Sequence, residues 1–176
     1  MTEAELQPEE HGAAPAGPGW FIVNVQDAAW RESPHFGSFA NFEGEVRFSG
    51  LGVNVHVLQP GQAACKYHSE SEEEAFLVLS GECLLLVDEE ERPMRTWDFF
   101  HCPPGTKHVF VGAGDGPCAI LMIGRRSPEA QVEYPTSELA DRHGAGVPET
   151  TPDPRVAYAG LRDMKRVPAP WPPATS

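Results

Sequence analysis

Residues 51–58 read LGVNVHVL, so that Leu51, Val53, Val55 and Val57 alternate with Gly52, Asn54, His56 and Leu58. A two-residue period sends the two sets to opposite faces of a strand, and β-branched side chains favour the pleated backbone. Pro60-Gly61 then turns the chain. Further strand segments are read at residues 67–70, 75–79, 83–87 (CLLLV), 94–102, 108–111 and 118–123 (CAILMI). They are separated by Ser80-Gly81, DEEERP, PPGTK and GAGDGP. Upstream, residues 20–25 (WFIVNV) read as a short strand. DAAWRESPHFGS reads as a turn or short helix broken at Pro34 and Gly37, and residues 45–48 as a weak strand. Short strands at spacings of about ten residues, punctuated by Gly and Pro, predict an all-β sandwich or barrel.

The flanks differ. Residues 1–19 hold Glu, Pro, Gly and Ala with few large apolar groups, which predicts a disordered acidic tail. After Arg126 the pattern changes again: SELADRHG (137–144) predicts a short helix, capped by Ser137 and ended by Gly144. A Pro-rich arm follows. The expected organisation is therefore a tail (1–19), a barrel (20–126) and a C-terminal helix with an extended arm (127–176).

Composition narrows the function classes. The 176 residues carry 18 Pro and 17 Gly, in keeping with a turn-rich β protein. The formal charge of −13 repels phosphates and argues against nucleic acid and anionic membrane surfaces. No apolar run approaches the roughly 20 residues that span a bilayer. MTEAELQPEE has the pattern of neither a secretory signal nor a transit peptide, so a cytoplasmic protein is expected. Cys65, Cys83, Cys102 and Cys118 form no CxxC pair, and reduced thiols are expected.

Chemistry concentrates in KYHSESEEEAFLVLSGE, residues 66–82. His68 and Glu70 are two apart and share a face of any strand there. Glu74 opens AFLVL; if it points inward, so do Phe76 and Val78. His108 begins the strand after PPGT, with Phe110 on its face. Glu72 and Glu73, adjacent like charges, read as solvated. Glu74 also reads as an acceptor for backbone N–H groups. Of His101 and Cys102, one faces inward, and the pattern does not choose. His56 either lines a pocket or faces solvent, and Tyr67 reads as packing or interface.

These residues carry a resemblance. Pro60-Gly61 followed by His68-x-Glu70-x3-Glu74-x6-Gly81 resembles the first conserved motif of the cupin superfamily, and Asp98-x4-Pro103-x-Gly105-x2-His108 resembles the second. The resemblance covers residues 51–123. It implies an antiparallel jelly-roll β-barrel with a divalent transition metal (Zn, Fe, Mn or Ni) held in its mouth by His68, Glu70, Glu74 and His108. The departures are Glu70 in place of the second histidine, a longer gap after Gly61, Trp97 in place of a glycine, and Gly112 where an asparagine is common. Glu70 thus stands open between metal ligand and a carboxylate that contacts the bound molecule. Small cupins often pair their barrels, so a homodimer is implied.

Three function classes stay open at this level. One is a metal-dependent enzyme of isomerase, lyase or dioxygenase type, with His101 or His56 as acid/base. The others are a non-catalytic small-molecule or sugar binder, and a structural barrel. GxSxG, Walker and GxGxxG patterns are absent, and GAGDGP lies between two strands, where it reads as a hairpin turn.

Overall fold

The computed structural model describes residues 2–161 and 163–171. In chain order the strands are β1 Leu6–Pro8, β2 Ala13–Pro15, β3 Trp30–Ser33, β4 Gly37–Ala40, β5 Leu51–Leu58, β6 Ser69–Glu70 and β7 Glu74–Ser80. They continue with β8 Glu82–Val87, β9 Glu90–Arg95, β10 Phe99–Cys102, β11 His108–Ala113, β12 Cys118–Arg125, β13 Val132–Glu133 and β14 Lys165–Val167. Two short helices, α1 Glu138–Arg142 and α2 Pro154–Ala157, lie between β13 and β14.

Among the described residues the strands form a seven-stranded sheet, β10-β7-β12-β5-β4-β3-β14, and a three-stranded sheet, β11-β8-β9, both antiparallel. The two are the facing walls of a jelly roll. Phe76 and Val78 from β7, Ile120 from β12 and Leu58 from β5 meet Leu85 from β8, Met94 from β9 and Phe110 from β11 in the core between them. Both sheets are also covered outside. The alternation of β5 sends Val55 and Val57 to the outer face, where they pack with Trp30, Ala40 and Ala119. Val109 and Val111 leave the back of β11 to meet Leu139 and Ala140 of α1. That double burial explains why the central strands read as apolar runs more than as strict alternations.

Two tight turns stand at opposite ends of the barrel, the second beside the site. Gly81 has φ 75° between β7 and β8, and a Cβ there would lie 2.6 Å from the Pro117 carbonyl oxygen. Gly105, at φ 82°, donates its N–H to the Glu70 carbonyl at 2.8 Å, tying the PPGT turn to β6.

Several elements differ from the sequence reading. Residues 20–25 are not a strand. Asn24 accepts from the Gln26 N–H at 2.9 Å and opens a 3-10 turn, while Val23 and Val25 pack beside Trp30. DAAWRESPHFGS is neither helix nor plain turn but the β3–β4 hairpin, with Trp30 buried and its Nε1 donating to the Val25 carbonyl. Residues 45–48 form no strand: the Phe48 N–H goes to the Glu43 carboxylate at 2.8 Å. Within 94–102 the chain turns at residues 96–98, giving β9 and β10 separately. In the expected disordered tail, β1 and β2 pair as a hairpin, and the Ala4 N–H donates to the Trp20 carbonyl. The predicted helix at 137–144 is α1, with the Ser137 hydroxyl accepting from the Ala140 N–H. The last residues of the Pro-rich arm, 172–176, lie outside the described residues. No helix among the described residues is long and apolar enough to cross a membrane.

Candidate metal centre

His68 and His108 exchange backbone hydrogen bonds, His108 N–H to the His68 carbonyl at 2.8 Å and the reverse at 3.2 Å. This bridge sets the two imidazoles side by side, with ring centroids 4.8 Å apart. Glu74 enters from β7 on the face it shares with Phe76 and Val78, both buried. One ligand atom from each of His68, Glu74 and His108 lies within 4.8 Å of the others.

The protonation pattern follows from the partners. His68 Nδ1 is 2.8 Å from the Lys66 carbonyl oxygen and His108 Nδ1 is 3.2 Å from that of Thr106. A carbonyl only accepts, so each Nδ1 carries the proton and each Nε2 presents a lone pair. Burial keeps both rings neutral: it pushes the His108 pKa down to about 3, helped by neighbouring His68, and lowers that of His68. His108 Nε2 stands 3.4 Å from Glu74 Oε2, a buried oxygen with no hydrogen-bond partner. Burial, then the neighbouring Glu70 charge, raises the Glu74 carboxyl to about 8. Two lone-pair atoms facing each other in a dry site need a proton or a cation between them. Two imidazole nitrogens and a carboxylate form a donor set that first-row divalent ions accept, so the residues fit the metal the resemblance implies.

Glu70 stands apart from this trio. Its Oε1 is 3.8 Å from His68 Nε2, its side chain is one-third exposed, and burial raises its pKa. Cys65 Sγ lies 3.7 Å from His68 Nδ1 and Cys102 Sγ 3.4 Å from His108 Nδ1, behind the rings. Burial pushes both thiols up to about 12, so they stay protonated. All four cysteines are free.

The trio opens on a cavity of about 300 Å³. Asn54 and His56, on one face of β5, form part of its wall, and Asn54 Oδ1 and His56 Nδ1 are buried without hydrogen-bond partners. His56 therefore lines the pocket, its ring stacked on Phe39 at 5.4 Å and its pKa pushed down to about 4 by burial. His101 does not come to this cavity. β10 pairs with β7 so that Cys102 sits opposite Glu74 and Phe100 opposite Phe76, which turns those two inward and His101 outward. There its Nε2 meets Glu73 Oε1 at 2.5 Å, both side chains more than half exposed. Glu72 corrects the reading of a solvated pair with Glu73: it is buried, bonded by the Ser127 hydroxyl at 2.8 Å and by Arg125 at 3.1 Å, partners more than fifty positions away.

Two wall residues escaped the sequence reading. Tyr134, just after β13, and Tyr158, just after α2, lie edge to face at 5.7 Å and line the cavity. The Tyr158 hydroxyl accepts the Lys66 N–H at 3.1 Å. Their lone signal was a tyrosine in an otherwise Pro-rich segment, which says nothing of where that segment lies.

A family model described as a cupin domain matches residues 54–124, the interval from β5 through β12 that carries His68, Glu74 and His108. No curated protein is significantly similar to the chain. Among solved structures, a sugar phosphate isomerase from a cupin superfamily from Silicibacter pomeroyi is 25% identical, with a TM-score of 0.58, over 66% of this chain and 82% of that one. A putative sugar phosphate isomerase from Acidithiobacillus ferrooxidans is 30% identical over 48% of this chain and 56% of its own length, with a TM-score of 0.46. The polyketide cyclase RemF from Streptomyces resistomycificus shares the fold at 15% identity and a TM-score of 0.53, over 62% of this chain and 82% of that one. The matched interval and the jelly-roll architecture agree: residues 54–124 are similar to a cupin domain in sequence and lie in a cupin-like fold.

Proposed function

We propose that this cupin-like protein binds a divalent transition metal through His68, Glu74 and His108 and holds a small oxygen-bearing molecule beside it for a proton-transfer reaction of isomerase type. The observation that carries this reading is the pair of Nε2 lone pairs, fixed by carbonyls at Nδ1, facing the partnerless Glu74 Oε2 in a buried site. The metal, when bound, would act as a Lewis acid toward an oxygen of that molecule. The chain's own residues do the rest. Glu70, at the rim with a raised pKa, is placed to take a proton from the bound molecule. Neutral His56 presents Nδ1, and Asn54 presents Oδ1, as hydrogen-bonding groups that orient it from β5. Tyr134 and Tyr158 line the cavity with aromatic rings that displace water around the bound molecule. The isomerase neighbour from Silicibacter pomeroyi supports the reaction type.

The test is cobalt(II) titration followed by visible absorption. The expected result is saturation at one equivalent with ligand-field bands that disappear in His68→Ala and Glu74→Ala. Identical spectra in wild type and both variants would contradict the assignment. The reading extends to a cytoplasmic homodimer, for which light scattering should give a mass near twice 19.2 kDa.

A further inference from the structure

Behind the metal-side cavity lies a second one, of about 530 Å³. The two share His56, Ala64, Cys65 and Tyr158. Their characters differ. The first holds the carboxylates, the imidazoles and the partnerless Asn54 Oδ1. The second is walled by Phe36, Phe39, Leu161 and Met164, with no lysine, arginine, aspartate or glutamate among its described lining residues. At the shared wall, Ala64 and Cys65 are small, and His56, which lines both cavities, has a buried Nδ1 without a hydrogen-bond partner.

The cations near the first cavity are already engaged. Arg126 is held by both carboxylate oxygens of Glu43 and by the Phe48 carbonyl, and Arg125 is paired with Glu72. Beyond the metal itself, a phosphate placed there would meet Glu70 and Glu74 without an uncommitted side-chain cation to offset its charge.

We infer that the molecule bound here has an oxygen-rich head for the metal-side cavity and an uncharged apolar body, an aromatic ring or alkyl chain, that occupies the second cavity past Ala64 and Cys65. This rests on the metal-binding reading for the head and on the second cavity alone for the body. The ligand class is thus an amphipathic carbonyl or hydroxyl compound, distinct from a sugar phosphate.

Acetohydroxamate and octanohydroxamate separate the two parts, since they share a chelating head and differ in the tail. Binding of each is measured by calorimetry on the cobalt-loaded and the chelator-stripped protein. Octanohydroxamate should bind at least about tenfold more tightly than acetohydroxamate, because each buried methylene is worth up to about fourfold. Leu161→Trp, which fills the second cavity, should remove the difference and leave acetohydroxamate within about twofold. Met164→Glu, at a residue 56% exposed and so tolerant of change, should weaken the octanoyl probe alone. If metal loading changes neither affinity while the tail preference persists and both variants abolish it, the head assignment fails and the apolar chamber stands. Equal or undetectable binding of the two probes in both forms, or a tail preference that neither variant alters, would overturn the inference.

Discussion

His108 Nε2 lies 3.4 Å from Glu74 Oε2 while the other nitrogen of the same ring is held by the Thr106 carbonyl. The contact closes the site between two motifs 34 positions apart in the chain. It also separates metal binding from folding. Gln at position 74 can donate an amide N–H to the His108 lone pair, which the ionised carboxylate cannot. Glu74→Gln should therefore lower cobalt affinity at least about 100-fold. The metal-free variant should melt at or above the wild-type temperature at pH 9, above the raised Glu74 value, by calorimetry. A drop of several degrees would mean that Glu74 supports the fold directly.

His101 and His56 should part company. His101 is outward and bonded to Glu73, so His101→Ala should leave metal content and ligand affinity within about twofold of wild type. His56→Ala should keep the metal and lose ligand affinity by about tenfold, for want of its buried nitrogen. Equal effects from the two variants, read by calorimetry on metal-loaded protein, would contradict the placement.

Trp97 holds φ 76° in the turn between β9 and β10, with its side chain 71% exposed. Its N–H donates to the Val78 carbonyl at 2.8 Å, so the backbone is fixed in a left-handed conformation that cupins commonly assign to glycine. That conformation costs a non-glycine residue about 1–2 kcal/mol. Glycine returns about 0.5–1 kcal/mol of this through its freer unfolded chain. Trp97→Gly should accordingly stabilise the protein by about 0.5–1 kcal/mol in urea unfolding. A loss of stability would show that the exposed indole makes a contact that matters, such as one in an oligomer.

Glu43 supplies the pH dependence. Burial raises its pKa, but the Arg126 hydrogen bonds, the Phe48 N–H and the nearby guanidinium charges outweigh it and hold the carboxyl below its ordinary 4.5. A lowered folded pKa contributes stability that is fully present above 4.5 and lost as the pH falls through the folded value. Glu43→Gln should cost about 2 kcal/mol at pH 7, the scale of a hydrogen bond to a charged group. The gap to wild type should close in acid below 4.5. A gap that stays constant in acid would rule out the ion pair as its source.

The parts of this architecture that were legible in the sequence are those set by short-range pattern. LGVNVHVL is β5 at both ends, and the run from Glu74 is β7, because alternation and the Gly81 turn are local. His68, Glu74 and His108 were singled out by motif spacings that resemble those of cupins, each beside a turn at a strand entrance. Pairing decided what pattern left open. The register of β10 on β7 turned Cys102 inward, and Arg125 and Ser127 drew Glu72 into the protein. Tyr158 lies 92 positions from Lys66, and no local signal brings the two together. The β3–β4 hairpin hid for a related reason: Trp30 earns its strand by packing under Val55 and Val57, which the sequence around it does not mention.

The most direct measurement is elemental analysis by mass spectrometry of protein purified without chelators and offered Mn, Fe, Co, Ni and Zn. Wild type is compared with a His68→Ala/His108→Ala double variant shown by circular dichroism to be folded. The account predicts close to one equivalent of a single divalent metal in wild type and less than about a tenth of that in the variant. Equal metal content in the two, or none in wild type under any of the five ions, would contradict it.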